Sequence, residues 1–448
     1  MVIGMQNKEL IKTIILVILV LMSGVLTYMT WNFSPDLANV DNQTDKDKQT
    51  HAIGKPLNQG MEQVVTPYQI IHSKGEDTEG VTATKDNVKT MLDPLMDQRV
   101  TRAERMHSQH NLIIPDLSDD FVVLDFTYDM PLATYLGQSL NISAKIPNNF
   151  KFNRLLIDQS HNGKVQLYAV SKDRHDVVRM TTTAKTSKLK QALSSLNKKM
   201  QPYTEIITSK DTIDKATHIY APDDPKGLKS YRTIYNRISV DAMNAILFND
   251  SLVVRSAKSG TTTYNNNTGV ANYNDETERY RYTNLSEDED RSNNMKDTIP
   301  STFDYINSHG GFTDDFRLFS TNNDSDELTY QLFLNGRPTF NEKDLNQIKV
   351  SWSEKGIFSY ARSLLKTNVT IDSGDSETDL PGAEEVRSSL ANNRTIDFEK
   401  VTDLAIGYTM NDKPDNKDIE IQRNSEFTPQ WYVEYDGKWH PYKDGRLE

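Results

Sequence analysis

The chain has 448 residues, no cysteine and a formal net charge of −12, from 51 Lys and Arg against 63 Asp and Glu. This length allows two to four domains, and the absence of cysteine excludes disulfides, iron–sulfur clusters and thiol catalysis. The acidic balance argues against nucleic acid as the main partner, because binding to phosphates needs clustered Lys and Arg.

The amino terminus predicts a membrane anchor. Residues 13–31 read TIILVILVLMSGVLTYMTW, which is 19 residues without a charge. A helix of this length spans about 28 Å, close to the thickness of one hydrocarbon core. Lys8 and Lys12 precede the run and predict that residues 1–12 are a cytoplasmic tail. A cleaved signal peptide is the alternative, but its apolar region would be shorter and followed by an A-x-A-like site.

One side of the predicted anchor carries small residues. Val20, Ser23, Gly24, Thr27 and Trp31 fall at helical spacing on the same side. Small residues let two membrane helices approach closely, and hydroxyl groups can hydrogen-bond across the contact. The pattern predicts a transmembrane interaction face, although Ser, Gly and Thr are also simply tolerated in lipid.

The chain after the anchor divides into a linker and three folded regions. Residues 32–65 are predicted to be a flexible linker, because its central part has few large apolar residues and no periodicity. The predicted domains are an N-terminal ectodomain at 66–200, a middle ectodomain at 201–299 and a C-terminal domain at 300–448. Helical and strand-like patterns mix without regular alternation, which predicts an α+β ectodomain.

The predicted elements follow in chain order. Helices are expected at 85–96, 131–141, 187–200, 239–248 and 383–392. Strands are expected at 121–126, 155–157, 165–171, 177–183, 217–220, 231–236, 252–256, 261–264, 270–273, 279–282, 316–320, 328–334, 348–352, 405–410 and 431–435. Asp436-Gly437 then predicts a hairpin turn before Trp439.

Three short motifs imitate a penicillin-recognising serine enzyme. S-x-x-K occurs at 187–190, S-x-N at 195–197 and K-S-G at 258–260. The first two lie on one predicted amphipathic helix with Leu189 and Leu193 on its buried side. An active site of this kind would take them from separate elements, so we interpret the helix as structural.

Two further patterns resemble metal sites only in part. His107 and His110 lie near Asp116, but a further ligand in a defined geometry is missing. The acidic run that starts at Asn322 imitates a calcium loop, but it has Glu327 where the loop needs Gly. We therefore predict no metal, no cofactor and no enzymatic activity, and a polar turn before the strand at 328–334.

Three tryptophans leave a second functional class open. Trp352, Trp431 and Trp439 could stack on sugars in a cell-wall-binding or scaffold protein. They fall in strand-like runs, where packing in or near the core is the commoner role.

Several longer segments carry a family resemblance. They are NKE at 7–9, WNFSPD at 31–36, HNLIIPDL at 110–117, DFTYD at 125–129, SKDRHD at 171–176, YNNNTGVANY at 264–273 and WYVEYDG at 431–437. With these segments the chain resembles the YycH family over essentially its whole length, and it looks most similar to the staphylococcal members.

The resemblance implies a regulatory role. Members of the YycH family are membrane-anchored accessory proteins of low-GC Gram-positive bacteria. They act with a second single-pass protein, YycI, on the sensor kinase WalK (also called YycG), whose two-component system controls cell-wall metabolism. Their ectodomain has three domains, the last of which resembles that of YycI, and the family supplies no catalytic residues.

Together these observations predict a non-enzymatic regulator with a cytoplasmic amino terminus, a single membrane pass and an extracytoplasmic bulk. The predicted partners are a YycI-like protein, the WalK sensor kinase and the membrane, with no nucleic acid. Self-association into a homo-oligomer is left open, as is the alternative of a wall-binding protein.

Overall fold

The computed structural model describes most of the chain from residue 59 onward. The described residues are 16, 19, 20, 22, 23, 59–107, 114, 116–146, 150–161, 163–171, 176–209, 217–248, 253–287, 295–322, 324–354, 356–374, 377–412 and 423–448. The chain forms two compact units, Met1–Gln49 and Thr50–Glu448. The described residues of the first unit are helical and exposed.

A nine-stranded antiparallel sheet organises the first part of the second unit. Its strands are β1 (Gln69–Lys74), β2 (Asp77–Thr82), β3 (Val100–His107), β4 (Asp120–Pro131), β5 (Lys151–His161), β6 (Lys164–Val170), β7 (Asp176–Lys185), β8 (Gln201–Ile207) and β9 (His218–Pro222). They lie in the order β3-β7-β6-β5-β4-β1-β2-β8-β9.

Short helices accompany this sheet. They are α1 (Met61–Val64), α2 (Lys85–Leu92), α3 (Leu132–Thr134), which continues as a π-helix (Tyr135–Ser139), and α4 (Thr186–Asn197). Helix α2 begins at Lys85 because the hydroxyl of Thr84 accepts a hydrogen bond from the amide of Asn87. Helix α4 buries the side chains of Leu189, Leu193 and Leu196, each of which contributes about 1.5–3 kcal/mol when fully buried.

A fifteen-stranded sheet organises the rest of the unit. Its strands are β10 (Tyr231–Arg237), β11 (Val254–Lys258), β12 (Thr261–Asn265), β13 (Gly269–Asn274), β14 (Arg279–Asn284), β15 (Phe316–Asn322), β16 (Glu327–Leu334), β17 (Arg337–Phe340), β18 (Gln347–Trp352), β19 (Ile357–Ser363), β20 (Leu365–Asp372), β21 (Val401–Asn411), β22 (Arg423–Tyr435), β23 (Lys438–Lys443) and β24 (Arg446–Leu447).

The order of these strands does not follow the chain. It is β11-β12-β13-β14-β19-β18-β16-β17-β21-β22-β10-β20, with β15 also paired to β16 and the β23–β24 hairpin paired to β22. Strands β17 and β21 form a parallel pair, whereas their neighbours are antiparallel. Helices α5 (Val240–Leu247), α6 (Met295–Ser308) and α7 (Ala383–Asn392) accompany the sheet.

Most predicted elements are present. Helix α7 has the predicted bounds, and Asp436 and Gly437 form the predicted β22–β23 turn with φ of 51° and 77°. The predicted helix at 131–141 is one short α-helical turn followed by the π-helix. Several elements were not predicted: the strands β1, β2, β3, β8, β17, β19 and β20, and helix α6. The charged side chains of β3 hide its strand pattern, and α6 contains Pro300.

The two sheets are joined by hydrogen bonds from side chains of one sheet to main-chain carbonyls in or beside the other. The hydroxyl of Thr127 on β4 donates to the carbonyl of Phe319 on β15 at 2.6 Å, and Arg317 Nη1 donates to the carbonyl of Ala83 at 2.6 Å. Gly336, in the β16–β17 turn, has a φ of 79°, and a Cβ there would lie 2.6 Å from the amide nitrogen of Thr84. The contact therefore requires glycine.

The predicted domain limits at 200 and 299 remain predictions. Strand β8 starts at the first limit and pairs with β2 across it. Helix α6 runs through the second limit. Strand β10 of the predicted middle region pairs with β20 and β22 of the C-terminal region.

Candidate functional site

The predicted transmembrane face lies largely outside the described residues. Val20 and Ser23 are helical and exposed. Gly24, Thr27 and Trp31 lie outside the described residues. Within the described part of the chain, no helix is both long enough and apolar enough to cross a membrane. The anchor and its interaction face therefore remain predictions.

The serine-enzyme motifs do not assemble into a site. Residues 187–190 and 195–197 both lie on α4, as expected, and Ser195 Oγ donates to the carbonyl of Gln191 at 3.0 Å. The K-S-G motif at 258–260 forms the turn between β11 and β12 in the other sheet. The interpretation of α4 as an amphipathic structural helix is confirmed.

The partial metal patterns also have structural roles. Asp116 forms an ion pair with Arg179, while His110 and the side chain of His107 lie outside the described residues. Among the residues that the structure describes, no cluster of three or more His, Asp or Glu side chains could hold a metal ion. Asn322 Oδ1 accepts from the amide of Asp324 at 2.9 Å, in the turn between β15 and β16. The predicted polar turn is confirmed.

A buried polar junction connects the two sheets. We define it by Tyr68, Gln69, Asp125, Arg154 and Asp403. Arg154 Nε and Nη2 donate to the two carboxylate oxygens of Asp125 at 2.5 and 2.8 Å. Gln69 Nε2 donates to Asp125 Oδ2 at 3.1 Å and to the Tyr68 hydroxyl at 2.9 Å, and that hydroxyl donates to Asp403 Oδ1 at 2.5 Å. Since Asp403 belongs to β21, the network joins the first sheet to the last part of the chain.

Burial and charge shift the protonation equilibria at the junction. Asp125 is fully buried and Arg154 is 8% exposed. Burial opposes the charge of Arg154, but the carboxylate of Asp125 outweighs it and raises the pKa of the guanidinium. Burial first, and then the carboxylates of Asp403 and Asp125, raise the pKa of Tyr68 well above its usual range. The arginine is therefore charged and the tyrosine neutral across physiological pH.

The junction extends to the end of the nine-stranded sheet. Arg154 Nη2 also donates to the carbonyl of His218 at 2.8 Å, and its guanidinium lies 5.2 Å from the ring centroid of Tyr220. The Tyr220 hydroxyl donates to Glu205 at 2.9 Å, and His218 pairs with the same carboxylate. Burial alone would raise the pKa of Glu205, but these partners lower it. Asp125 and Arg154 are paired with each other, and Asp403 accepts hydrogen bonds from the Tyr68 hydroxyl and the Leu404 amide, so we interpret the junction as structural.

An open cleft lies on the same face of β21 as Asp403, further along the strand at Thr409 and Asn411. We call it the β17 cleft, because the short β17 separates its two walls. One wall is formed by β16 and β18, the other by β21, β22 and β23, and the cleft has a volume of about 980 Å³. Alternate residues of each strand face the same side of a sheet, so these strands present rows of polar side chains to the cleft.

Aromatic rings form part of the cleft lining. Phe340 stacks on Tyr432 with a centroid distance of 3.7 Å, and Trp439 lies 6.0 Å from Phe340 and 5.7 Å from Phe319. Trp431 is 1% exposed, whereas Trp352 and Trp439 are half-buried. The expectation that the tryptophans pack in or near the core is confirmed, and Trp439 also borders an open cavity.

Sequence reasoning did not find either site. Tyr68 and Asp403 are 335 positions apart, and no local pattern predicts their contact. The cleft combines side chains from strands that are distant in the chain, so only the order of the strands reveals it.

Comparison with known proteins decides the family. The model of the YycH protein, N-terminal domain matches residues 9–200, and that of the YycH protein, C-terminal domain matches residues 216–445. The chain belongs to the YycH family. The predicted family membership is confirmed.

A curated relative and a solved structure agree with this assignment. The two-component system WalR/WalK regulatory protein YycH of Bacillus subtilis (strain 168) is 22% identical, over 97% of this chain and 96% of its own. That relative is named as a regulatory protein, not as an enzyme. The crystal structure of YycH from Bacillus subtilis matches with a TM-score of 0.66 and 16% identity, over 87% of this chain and 99% of that one. The strand-rich α+β fold is thus that of a solved YycH.

Proposed function

We propose that the chain is a membrane-anchored, extracytoplasmic accessory regulator of a WalK-type sensor kinase, and that it associates with the kinase and a YycI-like protein. The observation that carries the proposal is the match to the WalR/WalK regulatory protein YycH over nearly the whole length of both chains. A regulator of this kind acts on cell-wall metabolism through the kinase and its response regulator.

The proposed topology assigns each part of the chain a place. Residues 1–12 form the cytoplasmic tail, 13–31 the membrane anchor, 32–65 the linker and 66–448 an ectodomain whose last part, 300–448, is YycI-like. We place the regulatory contacts in the anchor, the ectodomain or both.

The mechanism is a shift between two states of the kinase. A partner changes the kinase equilibrium only if it binds one state more tightly than the other. The side of the anchor with Val20, Ser23, Gly24, Thr27 and Trp31 supports such a contact, because small residues allow close helix packing in lipid. The buried junction supports a stiff ectodomain as the second contact surface.

Copurification tests the association. The full-length protein is captured from native membranes beside a variant in which residues 13–31 are replaced by an unrelated membrane helix. We expect the kinase and the YycI-like protein with the native chain. Their loss with the replaced anchor would place recognition in the membrane helix, and their retention would place it in the ectodomain. Absence of both partners from both samples would contradict the proposal.

Bulky substitutions test the membrane face by itself. Ser23→Leu, Gly24→Leu and Thr27→Leu, combined in one chain, are expected to reduce copurification of the partners. Met22→Phe is the matched control, because residue 22 falls on the other side of a helix from Val20 and Gly24. Unchanged association and kinase output in the triple variant would contradict a role for this face.

A further inference from the structure

The β17 cleft has the size of a ligand site. Its volume of about 980 Å³ lies at the upper end of the roughly 300–1,000 Å³ typical of ligand pockets. It is bounded on both sides by strands of one continuous sheet. Sites built on strands hold their side chains more rigidly than sites built on loops.

The charges of the cleft exclude a polyanionic ligand. Six acidic side chains line it: Glu327, Glu342, Asp344, Asp412, Glu434 and Glu448. The lysines that line it are Lys343, Lys349 and Lys438. Two of these are already paired, Lys349 with Asp344 at 2.7 Å and Lys343 with Asp412 at 3.2 Å. The remaining field is negative, so phosphate- or sulfate-rich chains are repelled.

Uncharged polar groups line both walls. Half-exposed Gln347 belongs to the β16–β18 wall, where buried Thr329 and Gln331 adjoin it, and half-exposed Thr409 and Gln430 belong to the opposite wall. Carboxamides and hydroxyls can both donate and accept hydrogen bonds. A ligand that matches them has to present donors and acceptors at close spacing, as the hydroxyl groups of a sugar do.

These groups are held in place by the protein. Gln331 Nε2 donates to the carbonyl of Thr339 at 2.6 Å, and its Oε1 accepts from Gln347 Nε2 at 3.1 Å. On the other wall the Thr409 hydroxyl lies 2.7 Å from both Gln430 Oε1 and the Tyr432 hydroxyl. Because these side chains are fixed before a ligand arrives, little conformational entropy is lost on binding.

Two features add an acceptor and an apolar platform. The Gln347 side chain is half-exposed, and its Oε1 accepts no hydrogen bond from the described residues. Half-buried Trp439 packs beside Phe340 and keeps part of its surface open to the cleft. A large aromatic surface beside convergent polar groups suits a ligand with one apolar and several polar faces.

From these observations we propose that the β17 cleft binds a neutral oligosaccharide. The apolar face of one sugar ring packs against Trp439, and hydroxyl groups bond to the carboxamides of the two walls. The test of this site needs no kinase, because the cleft involves only residues 127–448 of this chain and none of the anchor.

The test uses the full-length chain in a detergent without a sugar headgroup. The probes are tetramers of N-acetylglucosamine and of β-1,4-linked glucose, a sulfated heparin tetrasaccharide and a neutral hexapeptide of Gly, Ser and Asn. Saturation-transfer NMR detects contact, and titration calorimetry gives the affinity. We expect at least one neutral tetrasaccharide to bind, with the heparin fragment at least tenfold weaker.

Two variants localise the binding. Gln347→Met removes the hydrogen-bonding groups and nearly keeps the volume, and it is expected to weaken saccharide binding about tenfold, which corresponds to about 1.4 kcal/mol. Gln98→Met is the matched control, since Gln98 is also half-exposed and hydrogen-bonded but lies outside the cleft. Trp439→Ala is expected to weaken binding further, with thermal unfolding as the check on its fold.

Four outcomes would overturn the proposal. The first is that neither neutral tetrasaccharide binds at millimolar concentration, and the second is that the heparin fragment binds more tightly than both. The third is that the hexapeptide binds more tightly than both tetrasaccharides. The fourth is that the wild type, Gln347→Met and Trp439→Ala bind the saccharide with equal affinity. The third outcome would make the cleft a peptide site, and the fourth would place the saccharide elsewhere on the chain.

Discussion

The polar junction and the β17 cleft are both built from polar side chains on β-strands, yet they differ in what surrounds those side chains. At the junction Asp125 is fully buried, and the guanidinium of Arg154 satisfies both of its oxygens. In the cleft Gln347, Thr409 and Gln430 are half-exposed beside a large open volume. Buried polar groups here therefore stabilise the fold, whereas the groups available to a ligand are those that are held in place but accessible.

Removal of the junction arginine is the largest expected perturbation. Arg154→Met leaves the carboxylate of Asp125 buried without its charge partner, and we expect the free energy of unfolding to fall by about 3–5 kcal/mol. Urea unfolding of the purified chain measures this free energy. Arg102→Met is the control, because Arg102 pairs with Glu104 with 71% of its side chain exposed and should cost less than about 1 kcal/mol. A loss no larger than that of the control would contradict the structural role of the junction.

The β16–β17 turn packs against the main chain at Ala83 and Thr84 and provides a second test. Gly336→Ala combines a left-handed φ with a clash against the main chain at Thr84, so we expect a loss of about 2–4 kcal/mol. Gly75→Ala is matched to it, because Gly75 has a φ of 62° but open space around its Cβ position. Equal loss of stability in both variants would mean that the contact between the sheets contributes nothing.

The Tyr68 hydroxyl is a smaller part of the junction. Tyr68→Phe removes the donor to Asp403 and the acceptor of Gln69 without a change in ring volume, and we expect a loss of about 1–3 kcal/mol. Tyr231→Phe, at a half-buried ring outside the junction, should stay within about 0.5 kcal/mol. Chemical denaturation of both variants in parallel measures the difference. If Tyr68→Phe were as stable as the wild type, the hydroxyl of Tyr68 would contribute nothing to the stability of the junction.

The dependence of stability on alkaline pH gives a further test of the buried tyrosines. Burial raises the pKa of Tyr168, Tyr408 and Tyr432 to about 12, and burial with the neighbouring carboxylates raises that of Tyr68. A raised pKa in the folded state means that stability is complete below the unfolded-state value of about 10 and falls as the pH rises above it. Urea midpoints between pH 8 and 11 should therefore decline above pH 10, with a shallower decline in Tyr68→Phe. A decline in Tyr68→Phe as steep as that in the wild type, or no decline in either protein, would contradict this.

Local sequence patterns predicted many of the elements but not their assembly. The apolar spacing of α4 and the turn at Asp436-Gly437 are properties of a few neighbouring residues, and both are present as expected. The position of β10 between β20 and β22 depends on strands that are far apart in the chain. The pairing of Tyr68 with Asp403 has the same origin, because the folding of both sheets brings these residues together.

The predicted functional residues also depend on local patterns, and residues that distant strands bring together were not predicted. The anchor face could be predicted because its small residues share one helical period, which is a local pattern, and it remains a prediction. The β17 cleft was missed because its polar side chains look like ordinary solvent-facing positions of separate strands. Trp439 was noticed only as one tryptophan among several, and its position beside Phe340 requires β17 and β23 to meet.

The most direct test of the regulatory function is the phosphorylated fraction of the response regulator in cells. It is measured by phosphate-affinity gel electrophoresis in a strain without this chain, in the same strain with the wild-type chain restored, and in one that expresses the Ser23→Leu, Gly24→Leu, Thr27→Leu variant. We predict that restoration of the wild-type chain changes the phosphorylated fraction at least twofold, in either direction. A phosphorylated fraction that is the same with and without the wild-type chain would contradict a role as a regulator of the kinase.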